Sequence, residues 1–499
     1  MGSTSSTEGA AGAGQPPATG RWVLALTSVA SFMVALDALV VTTALTAIRL
    51  ALHASVAELQ WTVNAYILTF AVLLMTAAAA GDRFGRRRMF VAGLALFTLA
   101  SAACAVAPSA GWLIAARAVQ GAGAAMVMPL AMTLLTAAFP PERRGWALGI
   151  FSGVTGLAVG GGPVVGGAIA QGLAWQWIFW LNVPIGLAAA ALALRHIRAS
   201  SGPRAAIDLG GAALVTISGL ALVWGLVRAD GVGWGSPEIA GSFAVALAAG
   251  AGLVARELRA PEPMLPMRLF RSRAFAAGNA VSFLLQAALT GAVFFMAQFQ
   301  QVALGQGPLG AGLRLLPWTA TLVLVAPRAG RLADRLGDRP LVVSGLFLQA
   351  AGLAWIAVIA RPALPYPELI APMIIAGAGI SLAVPGAQKA VVTAVAPAEI
   401  GKAAGAFQTA RQLGGAVGVA ACVAVFAAAG GYGSARAFTG GFAPALAVAA
   451  ALSAAGTIAG LCLPRRGRPA ATGRPAATAA STGTAATAEA AAASGSSGQ

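Results

Sequence analysis

"GDRFGRRRMF" (residues 81–90) and "GRLADRLGDRP" (residues 330–340) are two charged stretches that share the pattern Asp-Arg-x-Gly. The first separates two long apolar runs, "WTVNAYILTFAVLLMTAAAA" (61–80) and "MFVAGLALFTLASAACAVA" (89–107). Each charged stretch follows the second predicted apolar helix of one half of the chain. The sequence therefore contains an internal repeat, and both copies of its charged turn must lie on the same side of the structure.

Apolar residues dominate the chain. Of its 499 residues, 58% are hydrophobic and only 9% are charged, whereas an ordinary soluble domain carries about 25% charged residues. Many apolar runs reach the roughly 20 residues that a helix needs to cross a bilayer. The composition predicts an all-α polytopic membrane protein, with the lipid bilayer as its main partner.

Arginine accounts for most of the net charge of +17. The arginines lie in short turns and form no basic stripe with interleaved aromatics, so we expect no nucleic-acid partner. Cys104, Cys422 and Cys462 lie inside apolar runs without metal or disulfide spacing, and the two histidines fall near helix ends. We therefore expect no metal site and no cofactor.

Fourteen spans are predicted from apolar runs bounded by charge, glycine or proline. Arginine and lysine bias across short loops orients them, since with the N-terminus inside 25 basic residues lie on the cytoplasmic side and four outside. Both termini are therefore predicted to be cytoplasmic, in the cell (inner or plasma) membrane. The predicted spans are 22–45, 58–80, 89–108, 111–137, 145–170, 177–195, 208–227, 238–255, 274–303, 309–327, 341–360, 367–388, 400–429 and 441–463.

The charged turns resemble the cytoplasmic turn Gly-x-Leu-x-Asp-Arg-x-Gly-Arg-Arg of the major facilitator superfamily of transporters. In that family the turn acts as a conformational latch. A plain membrane anchor is the alternative, since arginines favour the anionic inner leaflet. The matching positions are Asp82, Arg83, Gly85, Arg86 and Arg87 in the first copy and Asp334, Arg335 and Gly337 in the second.

A glycine-rich stretch, "GLAVGGGPVVGGAIA" (156–170), resembles the fifth-helix motif associated with antiporters in this superfamily. Gly162, Pro163, Gly166 and Gly167 match its core. Small residues at this spacing let helices approach closely, and proline frees a backbone carbonyl. Ordinary small-residue packing is the alternative explanation of the same pattern.

The stretches "ALDALVVTTALTAI" (35–48) and "WQWIFWLNVPIG" (175–186) resemble the first and sixth helices of fourteen-helix drug:proton antiporters. The resemblance implies the major facilitator fold, with two six-helix bundles and two linking transmembrane helices. The predicted organisation is a disordered cytoplasmic N-terminus (1–21), an N-terminal bundle (22–200), two linking helices (201–260), a C-terminal bundle (261–463) and a disordered cytoplasmic tail (464–499).

Asp37 and Arg117 are charged residues inside predicted spans, where each ionised group costs several kcal/mol. Arg117 matches a fourth-helix Arg-x-x-Gln-Gly motif that the family links to proton transfer, and Gln120, a candidate for the substrate cavity, shares its helix face. At similar depths on helices 1 and 4, Asp37 and Arg117 are candidates for proton coupling. A purely structural ion pair is the alternative.

A polar and aromatic stripe on helix 9 is a candidate wall of a substrate cavity. It includes Gln286, Thr290, Phe294 and Gln298 at steps of four residues, although interhelical hydrogen bonding would produce the same pattern. Arg411, close to the middle of helix 13, would either contact substrate or hold the C-terminal half together.

The leading functional hypothesis is proton-coupled export of hydrophobic or amphiphilic small molecules, such as drugs or antibiotics, by alternating access. A dedicated exporter or uptake carrier for one specific metabolite is the alternative. A membrane-embedded transferase would need a cluster of catalytic His, Asp or Ser residues at a membrane face, and none is visible, so we expect no enzyme activity. The expected partners are protons and a small-molecule substrate, and the chain is expected to be a monomer.

Overall fold

The computed structural model describes residues 17–200, 208–260, 263, 265–325, 329, 332, 336–396 and 399–465. Throughout these ranges the regular structure is helical. The helices are α1 Pro17–Leu52, α2 Val56–Phe84, α3 Arg86–Ala105, α4 Ala110–Ala138, α5 Pro141–Gly172, α6 Trp177–Trp180, α7 Asn182–His196, α8 Leu209–Val232, α9 Pro237–Arg259, α10 Arg273–Gln298, α11 Pro308–Arg314, α12 Leu316–Leu324, α13 Asp338–Ile359, α14 Tyr366–Thr393, α15 Ile400–Ala429 and α16 Ala435–Leu461.

Serine side chains define where several of these helices begin. At the start of α2, the Ser55 hydroxyl accepts the backbone N–H of Glu58, and the Glu58 carboxylate accepts the backbone N–H of Ser55. This capping box satisfies two N–H groups that have no partner within the helix. Single serine caps begin four further helices, namely α4, α9, α10 and α16.

Twelve helical segments within the described ranges are long and apolar enough to cross a membrane, counting α6 and α7 together as Trp177–His196. They coincide with twelve of the fourteen predicted spans. The predicted span 145–170 corresponds to α5, a helix that is not among the twelve, and the predicted span 309–327 is two short helices. The protein is therefore a multi-pass helical membrane protein, whose structure supports twelve spans directly.

Proline explains why two predicted spans are interrupted. The span predicted at 309–327 divides at Leu315, because Pro317 in the first turn of α12 has no N–H to continue the helix before it. The span predicted at 177–195 loses its regular hydrogen bonding at Leu181, just before Pro184, but Leu181 keeps helical dihedral angles and Trp177–His196 continues as one apolar segment. The span at 274–303 ends instead in a π-helical turn, Phe299–Ala303. The chain also becomes helical earlier than predicted, since α1 begins at Pro17.

The helices pack in two groups with a connecting pair between them. In the first group α4 packs on α1, α2 and α3, while α5 packs on α1. In the second, α10 packs on α15 and α16, and α13 packs on α14 and α16. The connecting helices α8 and α9 pack on each other, and α8 also lies against α2 and α15. The division into domains given above stays a prediction.

Candidate functional site

Asp37 of α1 and Arg117 of α4 form an ion pair inside the first group of helices. The Arg117 Nη1 atom donates to Oδ2 of Asp37 at 2.5 Å. Asp37 is 2% exposed and Arg117 is 1% exposed, so the pair is removed from solvent. A buried charge is costly without a partner, which explains why each of these residues requires the other.

Amide side chains complete the surroundings of the Asp37 carboxylate. Its Oδ1 atom accepts hydrogen bonds from Nε2 of Gln120 at 2.9 Å and from Nδ2 of Asn182 at 2.8 Å. Gln120 also donates to the hydroxyl of Ser101 at 2.8 Å. Both oxygens of the carboxylate therefore accept hydrogen bonds within the cluster.

The Arg117 guanidinium has further contacts that do not involve Asp37. Its Nε atom donates to the Thr62 carbonyl at 3.2 Å, and Nη1 donates to Oε1 of Gln120 at 2.7 Å. It also lies 4.2 Å from the centre of the Tyr66 ring, within reach of a cation–π interaction. Arg117 would therefore keep hydrogen-bond partners if Asp37 lost its charge.

The structure brings together the two proton-coupling candidates, Asp37 and Arg117, and it places Gln120, which the sequence made a candidate for the substrate cavity, in the same cluster. Sequence reasoning missed Asn182 and Ser101. Asn182 lies in the stretch 175–186 and is the first residue of α7. A polar residue between apolar neighbours could have suggested it, whereas nothing local distinguishes Ser101.

A second polar group lies between α10 and α15. The Nε atom of Arg411 donates to Oε1 of Gln286 at 2.9 Å, and Nε2 of Gln286 donates to the Thr290 hydroxyl at 3.1 Å. All three side chains are half-buried. Within the described ranges no carboxylate forms an ion pair with Arg411, so its positive charge faces neutral groups.

The other end of the predicted helix 9 stripe packs in a different way. Phe294 is fully buried in an edge-on contact with Phe295. Gln298 donates from Nε2 to the Phe294 carbonyl at 2.7 Å and accepts a hydrogen bond from the Tyr432 hydroxyl. Burial raises the pKa of Tyr432 above its ordinary value. The predicted stripe therefore has two parts. Gln286 and Thr290 are hydrogen-bonded with Arg411, whereas Phe294 and Gln298 contact other residues.

The first charged turn is very tight, because Gly85 alone separates α2 from α3. Its φ of 104° is a conformation that other residues rarely adopt. Asp82 of α2 pairs across this turn with Arg86, the first residue of α3, at 2.7 Å, and Nη1 of Arg87 donates to the Ile197 carbonyl beyond α7 at 3.0 Å. Arg83 lies exposed above the ring of Phe84.

The second charged turn is described only in part. Gly337 has a φ of 91° and precedes α13, so it occupies a position equivalent to that of Gly85. Asp334 and Arg335 lie outside the described residues. We call the end of the molecule that carries Gly85 and Gly337 the arginine-rich end, and the other end the opposite end.

The glycines of the 156–170 motif lie where α5 contacts two other helices. A Cβ atom on Gly166 would come within 2.7 Å of the Val40 carbonyl in α1, and one on Gly167 within 2.3 Å of the Pro308 carbonyl in α11. Gly162 lies similarly close to Leu39 of α1. The Pro163 carbonyl is so close to α11 that a Cβ on Gly312 would come within 2.2 Å of it. The motif is therefore a site of close helix approach.

Polar contacts join the two groups of helices at the opposite end. Nε2 of Gln301 donates to the Thr43 carbonyl at 3.0 Å, and Oε1 of Gln171 accepts the backbone N–H of Leu309 at 3.1 Å. The Arg49 guanidinium lies 4.6 Å from the centre of the Tyr432 ring. Together with the glycine contacts of α5, these interactions close the opposite end.

The described part of the chain contains no cluster of metal-ligating side chains. No group of three or more His, Cys, Asp or Glu residues there could hold a metal ion. The charged and polar clusters around Asp37 and Arg411 are thus the strongest candidates for function.

Comparisons with known proteins agree with this architecture. The family model described as Major Facilitator Superfamily matches residues 27–419. The chain is 36% identical to the tetracenomycin C resistance and export protein of Streptomyces glaucescens, over 84% of this chain and 79% of that protein. It is also 36% identical to a methylenomycin A resistance protein of Streptomyces coelicolor, over 78% of this chain and 82% of that protein.

Among solved structures, a POT family transporter in complex with a thioalcohol-conjugated peptide is similar in fold. Its TM-score is 0.67 at 14% identity, with coverage of 87% of this chain and 94% of the other. At that identity the likeness concerns the fold alone.

Proposed function

The chain belongs to the major facilitator superfamily, and from that we propose that it is a proton-coupled exporter of hydrophobic or amphiphilic small molecules of the antibiotic type. It would work by alternating access in the cell membrane, with both termini cytoplasmic, as a monomer and without a cofactor. The resistance and export functions named for its relatives support this choice of substrate class.

The observation that carries the proposal is the buried pair of Asp37 and Arg117. A single carboxylate with a cation at 2.5 Å and two amide donors can exist in two states. When it is ionised, Arg117, Gln120 and Asn182 stabilise the charge. When it is protonated, Arg117 retains the Thr62 carbonyl and the Gln120 amide oxygen, so neither state leaves a charge without partners.

Alternating access would connect this site to the two sides of the membrane in turn. With the opposite end closed, Asp37 would release its proton toward the arginine-rich end. Opening the opposite end would require α5 to separate from α11, where Gly167 and Gly312 now allow backbones to touch. Asp37 would then take up a proton from outside, and the substrate would leave.

The group formed by Gln286, Thr290 and Arg411 is the proposed substrate contact. Arg411 carries a positive charge that faces only neutral partners among the described residues, so it would donate hydrogen bonds to a carbonyl, carboxylate or phenol oxygen. A hydrogen bond to a charged donor contributes about 1.5–3 kcal/mol, so Arg411 would favour a ligand that places an oxygen within its reach. The apolar remainder of the substrate would lie against surrounding side chains.

Membership of the fourteen-helix drug:proton antiporter branch is also part of the proposal. The twelve apolar helices, together with α5 and the pair α11–α12, account for fourteen segments in chain order. The pair α8–α9 lies between the two groups of helices, where linking spans are expected. The charged turns would act as latches at the cytoplasmic, arginine-rich end.

A dedicated exporter of one compound is the second candidate, and one observation favours it. The two relatives are each named for resistance to a single antibiotic. A specific uptake carrier is the remaining alternative, and it differs from both exporters in the direction of net transport.

The test uses inside-out membrane vesicles with an acidified lumen and a fluorescent pH dye. We expect some compounds in a panel of amphiphiles to collapse the gradient with the wild type and not with Asp37→Asn. Glu238→Gln is the matched control, because Glu238 is an exposed acid paired with Arg228, and it should behave as the wild type.

Two outcomes would redirect the proposal. If no compound in a broad panel collapses the gradient although the protein is inserted, a dedicated exporter or uptake carrier for one metabolite is the better account. If Asp37→Asn matches the wild type for an active compound, the proton site is not Asp37.

A further inference from the structure

A cavity of about 440 Å³ lies where the connecting helices α8 and α9 meet α2, α10 and α15. Its size is within the range of about 300–1,000 Å³ that is typical of small-molecule sites. None of the residues of the Asp37 cluster or of the Arg411 group lines it. It is therefore a separate space, and the helices that form it include the pair that links the two halves of the chain.

The wall of this cavity is mostly apolar. Val72 and Met75 from α2, Val215 and Leu222 from α8, and Leu413 from α15 contribute side chains to it. Such a wall suits a hydrocarbon or aromatic body, because burying apolar surface contributes about 25 cal/mol per Å².

Two polar side chains in the wall have oxygens without partners. Glu257 of α9 is 3% exposed; its Oε2 atom accepts the backbone N–H of Leu265 at 3.1 Å, while its Oε1 atom is buried and unpaired in the described structure. Asn279 of α10 is 6% exposed, and its Nδ2 donates to the Phe275 carbonyl at 2.8 Å, but its Oδ1 is also unpaired there.

The hydroxyl groups in the wall cannot supply the missing hydrogen bonds. Ser218 donates its hydroxyl to the Ala246 carbonyl at 2.9 Å, and Thr409 donates to the Ala71 carbonyl at 3.4 Å. The side-chain groups of the wall that lack partners are therefore hydrogen-bond acceptors. A ligand that satisfies them must bring N–H or O–H donors.

The charged neighbours of Glu257 have partners of their own. Arg256 pairs with Asp208 at 2.7 Å, and this guanidinium holds the pKa of Asp208 below its usual range. Lys402 donates to the Pro263 carbonyl at 2.8 Å. Within the described ranges no cation forms an ion pair with Glu257, and a buried carboxylate without one is costly.

We propose that this cavity is a binding site for an amphiphile that carries a protonated amine. Its ammonium group donates to the Glu257 carboxylate, Asn279 accepts a further hydrogen bond, and its apolar body lies against the side chains of α2, α8 and α15. The site gives the connecting helices a ligand-binding role, and it is independent of which compound the chain exports.

The experiment uses the full chain in phosphatidylcholine nanodiscs and two photoreactive probes of equal length, an alkyl diazirine amine and the corresponding alkyl diazirine alcohol. After irradiation, the labelled residues are mapped by mass spectrometry. We expect saturable labelling of α8 and α15 by the amine, competition by an unlabelled alkylamine, and labelling by the alcohol that is at least about ten-fold weaker, the factor that 1.4 kcal/mol produces.

Two variants on the same helix separate charge recognition from general packing. Glu257→Gln keeps the shape of the side chain and should reduce amine labelling to the level of the alcohol. Glu238→Gln removes an exposed acid at the other end of α9 and should label as the wild type does.

Equal labelling by amine and alcohol would overturn the proposal, because the cavity would then be a general hydrocarbon space of the kind that a lipid chain fills. Labelling that does not saturate, or that maps away from the cavity, would overturn it as well. The comparison of the two probes on the wild type decides the matter even if Glu257→Gln does not fold.

Discussion

Asp37 and Arg117 lie 80 positions apart in the chain, yet Oδ2 and Nη1 are 2.5 Å apart in space. The sequence could pair them because a charge in the bilayer requires a partner, and because the two residues lie at similar depth on helices 1 and 4, which neighbour each other in the fold that the family resemblance implies. It could not predict Asn182 or Ser101, since a neutral amide or a small hydroxyl carries no comparable penalty. Their position depends on how α3 and α7 pack, which local sequence does not encode.

Removing Arg117 should destabilise the fold. Arg117→Leu leaves the Asp37 carboxylate buried without a cation, and breaking a buried pair in this way costs about 3–5 kcal/mol. The double variant Asp37→Asn/Arg117→Leu should recover part of that loss, because its site no longer contains an unpaired charge. Thermal unfolding can be followed with a thiol-reactive dye, since Cys104 and Cys422 are buried, in a background where the exposed Cys462 is replaced by serine.

The control for this cycle is Arg361→Leu, which removes an exposed ion pair with Glu368. Exposed pairs contribute only about 0–1 kcal/mol, so its unfolding temperature should stay close to that of the parent. If Arg117→Leu were as stable as Arg361→Leu, the Asp37 carboxylate would not depend on Arg117 for its burial.

Helix α5 illustrates what glycine spacing can and cannot predict. The pattern Gly162, Gly166 and Gly167 predicts close helix approach, which the contacts of α5 confirm. The sequence did not indicate which helices would contact α5, because adjacent glycines of the motif contact two different helices, α1 and α11. The interruptions at Leu181 and Leu315 were also missed, although Pro184 and Pro317 were visible in the sequence, because many membrane helices tolerate proline.

Gly167→Ala should favour opening at the opposite end. Its Cβ would come within 2.3 Å of the Pro308 carbonyl, and overpacking of this kind costs about 1–3 kcal/mol. Since the clash exists only while α5 and α11 touch, the variant should shift the protein away from the closed arrangement. Spin labels at Leu50 and Gly433, both exposed near the opposite end, should report longer distances in a background without native cysteines.

Gly161→Ala is the matched control on the same helix, because nothing lies within 4 Å of a Cβ atom at that position. It should leave the distance distribution unchanged. The role assigned to the α5–α11 contact would be refuted by equal distances in Gly167→Ala and Gly161→Ala.

The charged turn around Asp82 should affect turnover more than folding. Asp82 and Arg86 are partly exposed, so Asp82→Asn should lower the free energy of unfolding by no more than about 1 kcal/mol. Transport should nevertheless slow several-fold, because the turn is proposed to hold one arrangement of the arginine-rich end. Initial transport rates and unfolding temperatures measured on the same preparation separate the two effects, with Glu368→Gln as the control for loss of an exposed ion pair. Normal transport by Asp82→Asn would favour the simple membrane anchor.

The molecule as a whole follows largely from two features of the sequence, its apolar runs and its repeated charged turn. These features predicted a helical membrane protein, and twelve apolar helices confirm that class. They gave no indication of Glu257, which sequence reasoning left in a cytoplasmic loop. The structure extends α9 to Arg259 and buries Glu257, which accepts the backbone N–H of Leu265, because packing of the connecting helices, rather than local composition, decides that burial.

Exchange without a gradient tests the proposed coupling most directly. Proteoliposomes are preloaded with an active compound from the vesicle panel, and two quantities are measured, counterflow of labelled compound without a proton gradient and accumulation with one. If Asp37 couples substrate to protons, Asp37→Asn should retain counterflow and lose gradient-driven accumulation, while Glu238→Gln retains both. Accumulation by Asp37→Asn equal to that of the wild type would contradict the account.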